Sequence, residues 1–333
     1  MDSDFILQPI RGHLVSVEKV LTKQIVSKIY LSENIIKHLN LKPGKRFRPS
    51  IVLLSALSIN PKITSRYVHI YKNIIAAAAS VELLHNASLV HDDIVDQARL
   101  RRGAKPANKI WGDHATVLAG DYLLAKALFL INQCGNKNVM SSVTTAASEL
   151  ANGQILDIMI SKREVDFNEK IYFQMINLKT ASLIASSSEI GALLANGTKK
   201  QISLLKNYGV NLGISYQLID DVLDFVGNSK KMGKNAMEDI KEGKVTLPVI
   251  ISLKRSPRIE SQRARKILIE KKINEKNLDF LYNFVMNSKA IEETTKIANN
   301  YSLKAISAIG ALGDNQFKDS LISLARQNST RVF

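Results

Sequence analysis

The sequence predicts an all-α fold, a bundle of helices without a sheet. Apolar residues recur at intervals of three and four along almost the whole chain, which is the spacing of one helix face. Turn-forming residues are few, with 16 Gly and 7 Pro among 333 residues. No stretch alternates apolar and polar residues between hairpin turns, as a strand would. No linker marks a boundary either, so we expect a single domain over residues 1–333.

The helices can be assigned in order from their apolar stripes. The first is predicted over residues 13–30, with its stripe at Leu14, Val17, Leu21, Ile25 and Ile29. Further helices are predicted over 49–59, 69–97, 114–133, 139–161, 168–195, 199–226, 246–254, 259–271, 277–286, 288–311 and 315–326. The polar segment 227–244 has no stripe, and its place directly after an acidic cluster favours a functional loop.

Cysteine content and the N-terminus bear on the compartment. A single cysteine, Cys134, excludes an internal disulfide, and no Cys/His cluster has the spacing of a zinc site. The N-terminal residues resemble neither a signal peptide nor a transit peptide. The longest apolar run, residues 73–84, contains Glu82 and is too short to cross a bilayer. We therefore expect a soluble, cytoplasmic protein without stable membrane insertion.

The formal net charge of +16 points to an anionic partner. Nucleic acid, an anionic membrane and a phosphate-bearing substrate all remain open on charge alone. Much of the excess lies in residues 254–277, where a solvated helix surface explains it. The chain has no nucleic-acid module and no aromatic residues among its basic ones, so we expect no nucleic-acid partner.

Two acidic clusters share the spacing D-D-x-x-D. The first acidic motif, in LVHDDIVD, comprises Asp92, Asp93 and Asp96, and the second, in YQLIDDVLDF, comprises Asp220, Asp221 and Asp224. Within each motif the first and last carboxylates are four residues apart, on one helix face with Cβ atoms about 5–6 Å apart. Their repulsion destabilises a helix unless cations compensate. Both motifs also lie among Leu, Ile and Val, which argues against a plain solvated surface.

Carboxylates without nitrogen or sulfur ligands suit Mg²⁺, which is commonly held by one or two carboxylates and substrate phosphates. Two such motifs facing each other would hold a diphosphate through bridging metals. Guanidinium groups bind phosphate oxygens bidentately, which explains Arg99, Arg101 and Arg102 beside the first motif. A second anion site without metal could use GKRFRP (residues 44–49), His85, Lys179, Lys234 and Lys244.

These motifs together resemble those of the trans-isoprenyl diphosphate synthases, or polyprenyl synthetases. The resemblance runs through GKRFRP, ELLHNASLVHDDIVD, RRGAKPAN, LAGDYLLAKA, NGQILD, LKTASL, YQLIDDVLD and GKNAMEDIKEGKVTLP, over nearly the whole chain. It implies helices around a deep central cavity, usually in a homodimer. It also implies successive 1'-4 condensations of isopentenyl diphosphate onto an allylic diphosphate such as farnesyl diphosphate.

The resemblance also implies roles for individual residues. Asp92, Asp96 and Asp220 would bind Mg²⁺, three ions per site with substrate bound, supported by Asp93, Asp221 and Asp224. Isopentenyl diphosphate would be bound by Lys45, Arg48, His85 and Arg102. The allylic diphosphate would be bound by Arg101, Lys179, Thr180, Gln217, Lys234 and Lys244. The six aspartates and Lys179 would be catalytic. His91, Asp121 and Gln154 match family positions, and we interpret them as structural.

Product length should depend on the residues one turn before the first motif. Ala87 and Ser88 lie five and four positions before Asp92, and relatives that stop at short chains tend to carry bulky aromatic residues there. Small residues predict a long product, of about octaprenyl length, with a cavity floor at Leu130 or Ile131. Such a chain would serve as a quinone side chain, as in ubiquinone, and would be delivered to a membrane.

Four other functions can be weighed against this one. A short-chain farnesyl or geranylgeranyl synthase would share the motifs and differ in product. A terpene cyclase would have little use for the second anion site. A noncatalytic subunit of a heteromeric synthase would be expected to lose acidic motifs, whereas this chain keeps all six aspartates. A nucleic-acid-binding role rests on net charge alone.

Overall fold

The computed structural model describes residues 3–27, 29–40, 46–63, 68–96, 105–227 and 237–329. Helix accounts for 83% of these residues and none of them lies in a strand, which confirms the all-α prediction. The helices of eight residues or more are α1 (Arg11–Ile25), α2 (Tyr30–Asn40), α3 (Phe47–Ile59), α4 (Val68–Val95), α5 (Asp113–Gln133), α6 (Lys137–Lys162), α7 (Glu169–Ile176), α8 (Ser182–Leu194), α9 (Lys199–Val226), α10 (Leu247–Arg255), α11 (Arg258–Glu270), α12 (Glu275–Asn287), α13 (Ala290–Ala308) and α14 (Gln316–Ser329). Shorter helical segments are Ser3–Ile6, Gln8–Ile10, Asn108–Trp111 and Glu238–Lys241.

The prediction of one first helix over 13–30 is wrong, because the chain breaks between α1 and α2. Val26 leaves the helix with an extended backbone, φ −65° and ψ 120°. The hydroxyl of Ser27 accepts a hydrogen bond from the backbone N–H of Ile29 at 3.2 Å. Local bonds of this kind compete with helical hydrogen bonds. The helix α2 is therefore a separate element that the apolar pattern does not anticipate.

A π-helical segment, Asn177–Ala181, joins α7 to α8. The helical stretch is continuous, as predicted over 168–195, but its hydrogen bonding loosens in the middle. Short π-helical turns inside helices are rare and occur frequently at functional sites. This one contains Lys179 and Thr180.

The chain divides into two compact units. The first comprises Met1–Ser148, Leu183–Gly209 and Ile306–Leu324. At its centre α4 packs against α1, α3 and α5. A Cβ on Gly120 of α5 would lie 2.3 Å from His91 Nε2 of α4, so any larger residue there would have to displace the His91 ring. The first acidic motif belongs to this unit.

The second unit comprises Glu149–Ser182, Val210–Ala305 and Ala325–Phe333. Its core is formed by Tyr172, Leu218, Phe225 and many aliphatic residues of α9 to α13. A Cβ on Gly213 of α9 would lie 2.6 Å from the Cα of Ala181, so α9 runs directly against the π-helical segment. The second acidic motif belongs to this unit. The single domain over 1–333 stays a prediction.

Among the residues that the structure describes, two helices, α4 and α5, are long and apolar enough to cross a membrane by length and composition. The most apolar window of α4 is 72% buried inside the protein, as in the core helix of a soluble protein, whereas that of α5 is 39% buried. The expectation of no membrane insertion stays a prediction.

Candidate active site

Both acidic motifs lie at the C-terminal end of a long helix. The first occupies the end of α4, which stops at Val95, and the second occupies the end of α9, which stops at Val226. Aligned peptide dipoles place partial negative charge at a helix C-terminus, where aspartates are unfavourable. The carboxylates of each motif therefore repel one another, and the dipole of their own helix destabilises them as well. Such an arrangement is typical of a site that binds cations.

Burial follows the same order in the two motifs. The middle carboxylates are enclosed, since Asp93 is 5% exposed and Asp221 is 1% exposed. The outer aspartates are half-buried and reach the surface of their units: Asp92, Asp96, Asp220 and Asp224. The outer carboxylates are thus the ones placed to meet a ligand.

In the second motif, protein donors hold the middle aspartate. The Tyr172 hydroxyl donates to Asp221 Oδ2, and Gln217 Nε2 donates to Asp221 Oδ1 at 2.8 Å. Thr180 Oγ1 in turn donates to Gln217 Oε1 at 2.8 Å. Burial and then the charge of Asp239 raise the pKa of Asp221, while the bonds from Tyr172 and Gln217 lower it. This chain of bonds ties the π-helical segment to the second motif.

Lys179 has a close acidic partner in the same unit. Its Nζ donates to Asp157 Oδ2 at 2.6 Å, and the Asp157 side chain is 8% exposed. A Cβ on Gly153 would lie 2.4 Å from the backbone N of Lys179, so glycine lets α6 approach the π-helical segment. The ammonium group is therefore held in one direction before any substrate arrives.

The last aspartate of the second motif caps the segment that follows. The backbone N–H groups of Glu238 and Asp239 donate to the Asp224 carboxylate at 3.1 and 3.3 Å. The N–H of Met237 donates to the Asp224 backbone oxygen at 2.9 Å. Lys244 Nζ pairs with Glu242 at 2.6 Å. The described part of the predicted functional loop, residues 237–244, is thus attached to the second motif.

In the first unit, Arg48 on α3 and His85 on α4 are both half-buried. The Ser88 hydroxyl donates to the backbone oxygen of His85 at 2.8 Å, and Ala87 is 3% exposed. Leu130 and Ile131 are buried in α5, the helix that packs along α4.

His91 of α4 contacts α5, and the structural roles expected for His91, Asp121 and Gln154 stay predictions. His91 Nε2 lies 3.2 Å from the backbone oxygen of Val117 and 3.5 Å from Asp121 Oδ1, which links α4 to α5. The side-chain oxygen and nitrogen of Gln154 are buried without a hydrogen-bond partner.

Five residues with expected roles lie outside the described residues. They are Lys45, Arg99, Arg101, Arg102 and Lys234. The roles that the resemblance assigns to four of them stay predictions.

Comparison with known proteins identifies the family. Residues 30–285 match the polyprenyl synthetase family. The chain belongs to that family. It is a prenyltransferase, as predicted. The family depends on a divalent metal and acts on isopentenyl and allylic diphosphates.

Two of the individual relatives are named as long-chain synthases. An all-trans-nonaprenyl-diphosphate synthase of Rhodobacter capsulatus is 32% identical over 330 residues, covering 98% of this chain and 97% of the relative. An octaprenyl diphosphate synthase of Haemophilus influenzae is 34% identical, covering 85% and 83%. A polyprenyl synthase of Caulobacter crescentus, solved with calcium and isoprenyl diphosphate, superposes with a TM-score of 0.92 at 30% identity, covering 99% and 98%. The length of this chain's own product stays a prediction.

The acidic groups fit a metal that binds together with its substrate. Within the described ranges, no three His, Cys, Asp or Glu side chains converge to form a metal site by themselves. Mg²⁺ needs fewer protein ligands when diphosphate oxygens and water complete its shell. The half-buried outer aspartates of each motif can supply the few carboxylates required.

Sequence reasoning missed several residues of this polyprenyl synthetase. Asp157 lies in NGQILD, and Glu82 lies in the apolar run before the first motif. A carboxylate within an apolar helix needs a buried partner, and this was the signal that could have identified both residues. Arg46 was hidden among neighbouring basic residues. Tyr172 gave no signal, because an aromatic residue in an apolar stripe is ordinarily core.

Proposed function

We propose that this chain is a long-chain trans-polyprenyl diphosphate synthase that uses Mg²⁺. It extends an allylic diphosphate by repeated addition of isopentenyl diphosphate. The observation that carries the proposal is the pair of acidic motifs, each at a helix C-terminus with its middle aspartate enclosed and its outer aspartates accessible. Similarity over nearly the whole chain to octaprenyl and nonaprenyl synthases supports it.

In this proposal Asp92, Asp96 and Asp220 hold the metal ions, three per site with substrate bound. Mg²⁺ bound by these aspartates would supply positive charge that stabilises the diphosphate as a leaving group. The donors near the second motif, Lys179 and Thr180, bind diphosphate oxygens and hold the allylic group in place. Lys179 has two ammonium hydrogens left for the diphosphate beside the one it donates to Asp157, whereas Thr180 must turn its single hydroxyl hydrogen away from Gln217 to reach the diphosphate.

The remaining binding roles follow the family motifs. Arg48 and His85, with Lys45 and Arg102, bind isopentenyl diphosphate without metal. Gln217 and Lys244, with Arg101 and Lys234, complete the allylic site. Asp93, Asp221 and Asp224 keep the two motifs in shape.

The chemical step needs no dedicated protein base. The C–O bond breaks and its electron pair leaves with the diphosphate, which leaves an allylic cation. The double bond of isopentenyl diphosphate attacks this cation and forms the new C–C bond. A proton then leaves the adjacent carbon, passes to the released diphosphate, and restores the allylic double bond. The apolar residues around the aspartates exclude water that would quench the cation.

The product is of about octaprenyl length, and it is made for quinone side chains. The small residues Ala87 and Ser88 leave room for the growing chain. Leu130 and Ile131 are suitable as its floor because α5 packs along α4. The enzyme works in the cytoplasm and passes its product to a membrane.

The enzyme acts as a homodimer. In α5, Leu118 is 67% exposed and Phe129 is 53% exposed, although the helix is strongly apolar. A second copy of the chain would cover this face, as large exposed apolar patches usually mark an interface. Multi-angle light scattering should give twice the chain mass, and Leu118→Glu should give a monomer.

One incubation tests the proposed reaction. Purified protein is mixed with labelled isopentenyl diphosphate, farnesyl diphosphate and Mg²⁺, and the dephosphorylated products are separated by reverse-phase chromatography. The proposal predicts a main product of about octaprenyl length. A product that stops at geranylgeranyl would identify a short-chain synthase. An absence of turnover would support a noncatalytic subunit.

A further inference from the structure

A partly buried cluster of three charged side chains lies at the start of α3. Arg46 Nε donates to Glu18 Oε1, its Nη2 donates to Glu18 Oε2 at 3.0 Å, and its Nη1 donates to Glu82 Oε1 at 2.8 Å. The side chains of Arg46 and Glu82 are 10% and 4% exposed, and that of Glu18 is 44% exposed. We call these three residues the Arg46 clamp. It joins α1, α3 and α4.

The clamp removes Arg46 from the set of possible phosphate ligands. All three guanidinium nitrogens already donate to carboxylates, and the two glutamates outweigh the single positive charge. Hydrogen bonds to both glutamates raise the pKa of Arg46 against the effect of burial. An anion would meet a net negative cluster there. Of the three basic residues in GKRFRP, Arg46 is therefore committed to the protein itself.

The backbone of Arg46 adopts an uncommon conformation at the start of α3. Its φ of 51° and ψ of 37° lie in the left-handed region, which is uncommon for a residue with a side chain. Its backbone oxygen accepts bonds from the N–H and the hydroxyl of Ser50, at 2.9 and 2.8 Å. The clamp thus fixes the first turn of α3, which carries Arg48 two residues later.

The other end of the clamp fixes α4. Glu82 lies three residues before His85, so the two side chains are neighbours on one helix face. One buried ion pair therefore joins the element that carries Arg48 to the element that carries His85. These two residues are proposed ligands of the same substrate.

We infer that Arg46 is a positioning residue: held by Glu18 and Glu82, it sets Arg48 and His85 at the separation that isopentenyl diphosphate requires. The inference rests on the proposed function. It assigns no contact between Arg46 and the substrate. It predicts that substitutions in the clamp weaken the binding of isopentenyl diphosphate and leave the binding of the allylic diphosphate unchanged.

The test compares steady-state kinetics of the full-length wild-type enzyme with those of Glu82→Gln and Arg46→Lys. Glu82→Gln keeps the shape of the side chain and removes its charge. Arg46→Lys keeps the positive charge and removes the planar guanidinium group that bonds both glutamates. The KM for isopentenyl diphosphate should rise about tenfold in each, within the hundredfold that a 1 Å misplacement can cost. The KM for farnesyl diphosphate should stay within about twofold.

Glu189→Gln is the matched control. Glu189 is a partly buried carboxylate of the same unit, paired with Lys206 and bonded to Ser142. Its loss should lower the melting temperature and leave both KM values unchanged. If Glu82→Gln does not fold, Glu18→Gln replaces it, because Glu18 is the more exposed partner, and the same selective rise in KM is expected to be smaller.

Two results overturn the inference alone. In one, the wild-type enzyme elongates farnesyl diphosphate while the clamp variants lose stability with both KM values unchanged. In the other, both KM values rise equally. If the wild-type enzyme consumes no isopentenyl diphosphate, the proposed function fails first and the inference fails with it.

Discussion

The two acidic motifs share a sequence pattern, a place at a helix C-terminus and an order of burial, yet their surroundings differ. In the second motif Asp221 is held by Tyr172 and Gln217, and Asp224 caps the residues that follow. The first motif is preceded by the small residues Ala87 and Ser88. In the proposed mechanism the shared features serve metal and diphosphate binding, and the different surroundings give each motif a further role of its own.

The residues one turn before each motif show this difference clearly. Ser215, five positions before Asp220, is fully buried and bonds to the Ala298 backbone oxygen, to Ser302 and to Asn328 within 2.9 Å. Ala87, five positions before Asp92, has no polar side-chain atom with which to bond a neighbouring helix. The hydroxyl of Ser88, four positions before Asp92, donates to the backbone oxygen of His85 in its own helix. We expect substitutions before the second motif to affect stability and those before the first to affect product length.

The largest effect should come from the outer aspartates. Asp92→Asn and Asp220→Asn should each lower kcat by about a hundred to a thousandfold, because each removes charge stabilisation of the departing diphosphate. Turnover is measured with labelled isopentenyl diphosphate, and Asp166→Asn, at a side chain 82% exposed, is the control. A fall in kcat in only one of the two variants would show that only one motif stabilises the departing diphosphate.

The next effect concerns the enclosed aspartate of the second motif. Tyr172→Phe leaves a buried oxygen of Asp221 without its donor, so the free energy of unfolding should fall by about 1–3 kcal/mol. Urea denaturation measures it. Tyr282→Phe, at a half-buried ring on the same core, should change stability much less. Equal changes in the two variants would remove the special role of Tyr172.

A smaller effect should separate two substitutions of Asp224. Both Asp224→Asn and Asp224→Ala remove the charge, but only Asn keeps an oxygen that can accept the N–H groups of Glu238 and Asp239. The Ala variant should be less stable by about 0.5–1 kcal/mol, although Ala is the better helix former. A more stable Ala variant in urea denaturation would show that the cap contributes nothing.

The smallest change in turnover should accompany a visible change in product. Ala87→Phe or Ser88→Phe should shorten the chains seen by reverse-phase chromatography, because the ring fills the path of the growing product. Ser215→Ala, before the second motif, should lower stability and leave product length unchanged. Chains of unaltered length in both phenylalanine variants would contradict the proposal that the growing chain passes Ala87 and Ser88.

The sequence predicted what depends on local spacing. Helical periodicity gave nearly all the long helices, and the repeated aspartate spacing gave the two motifs and their helix faces. Helical periodicity failed as a guide between α1 and α2, where the Ser27 hydroxyl competes with the helical hydrogen bonds for the backbone N–H of Ile29. A side chain that bonds its own backbone leaves no trace in an apolar pattern.

Partners distant in sequence could not be predicted. Tyr172 is 49 residues from Asp221, and Arg46 is 28 residues from Glu18 and 36 from Glu82. Only the packing of helices selects these pairs from many polar residues. The sequence predicts that the Lys179 ammonium group binds substrate, and only the folded structure shows its bond to Asp157.

The most direct test measures binding of each substrate with and without Mg²⁺ by isothermal titration calorimetry. Farnesyl diphosphate should bind only with Mg²⁺, and both Asp92→Asn and Asp220→Asn should weaken that binding strongly, while isopentenyl diphosphate should bind in EDTA. Tight binding of farnesyl diphosphate in EDTA, or full binding by both variants, would contradict the claim that the two motifs hold the allylic diphosphate through magnesium.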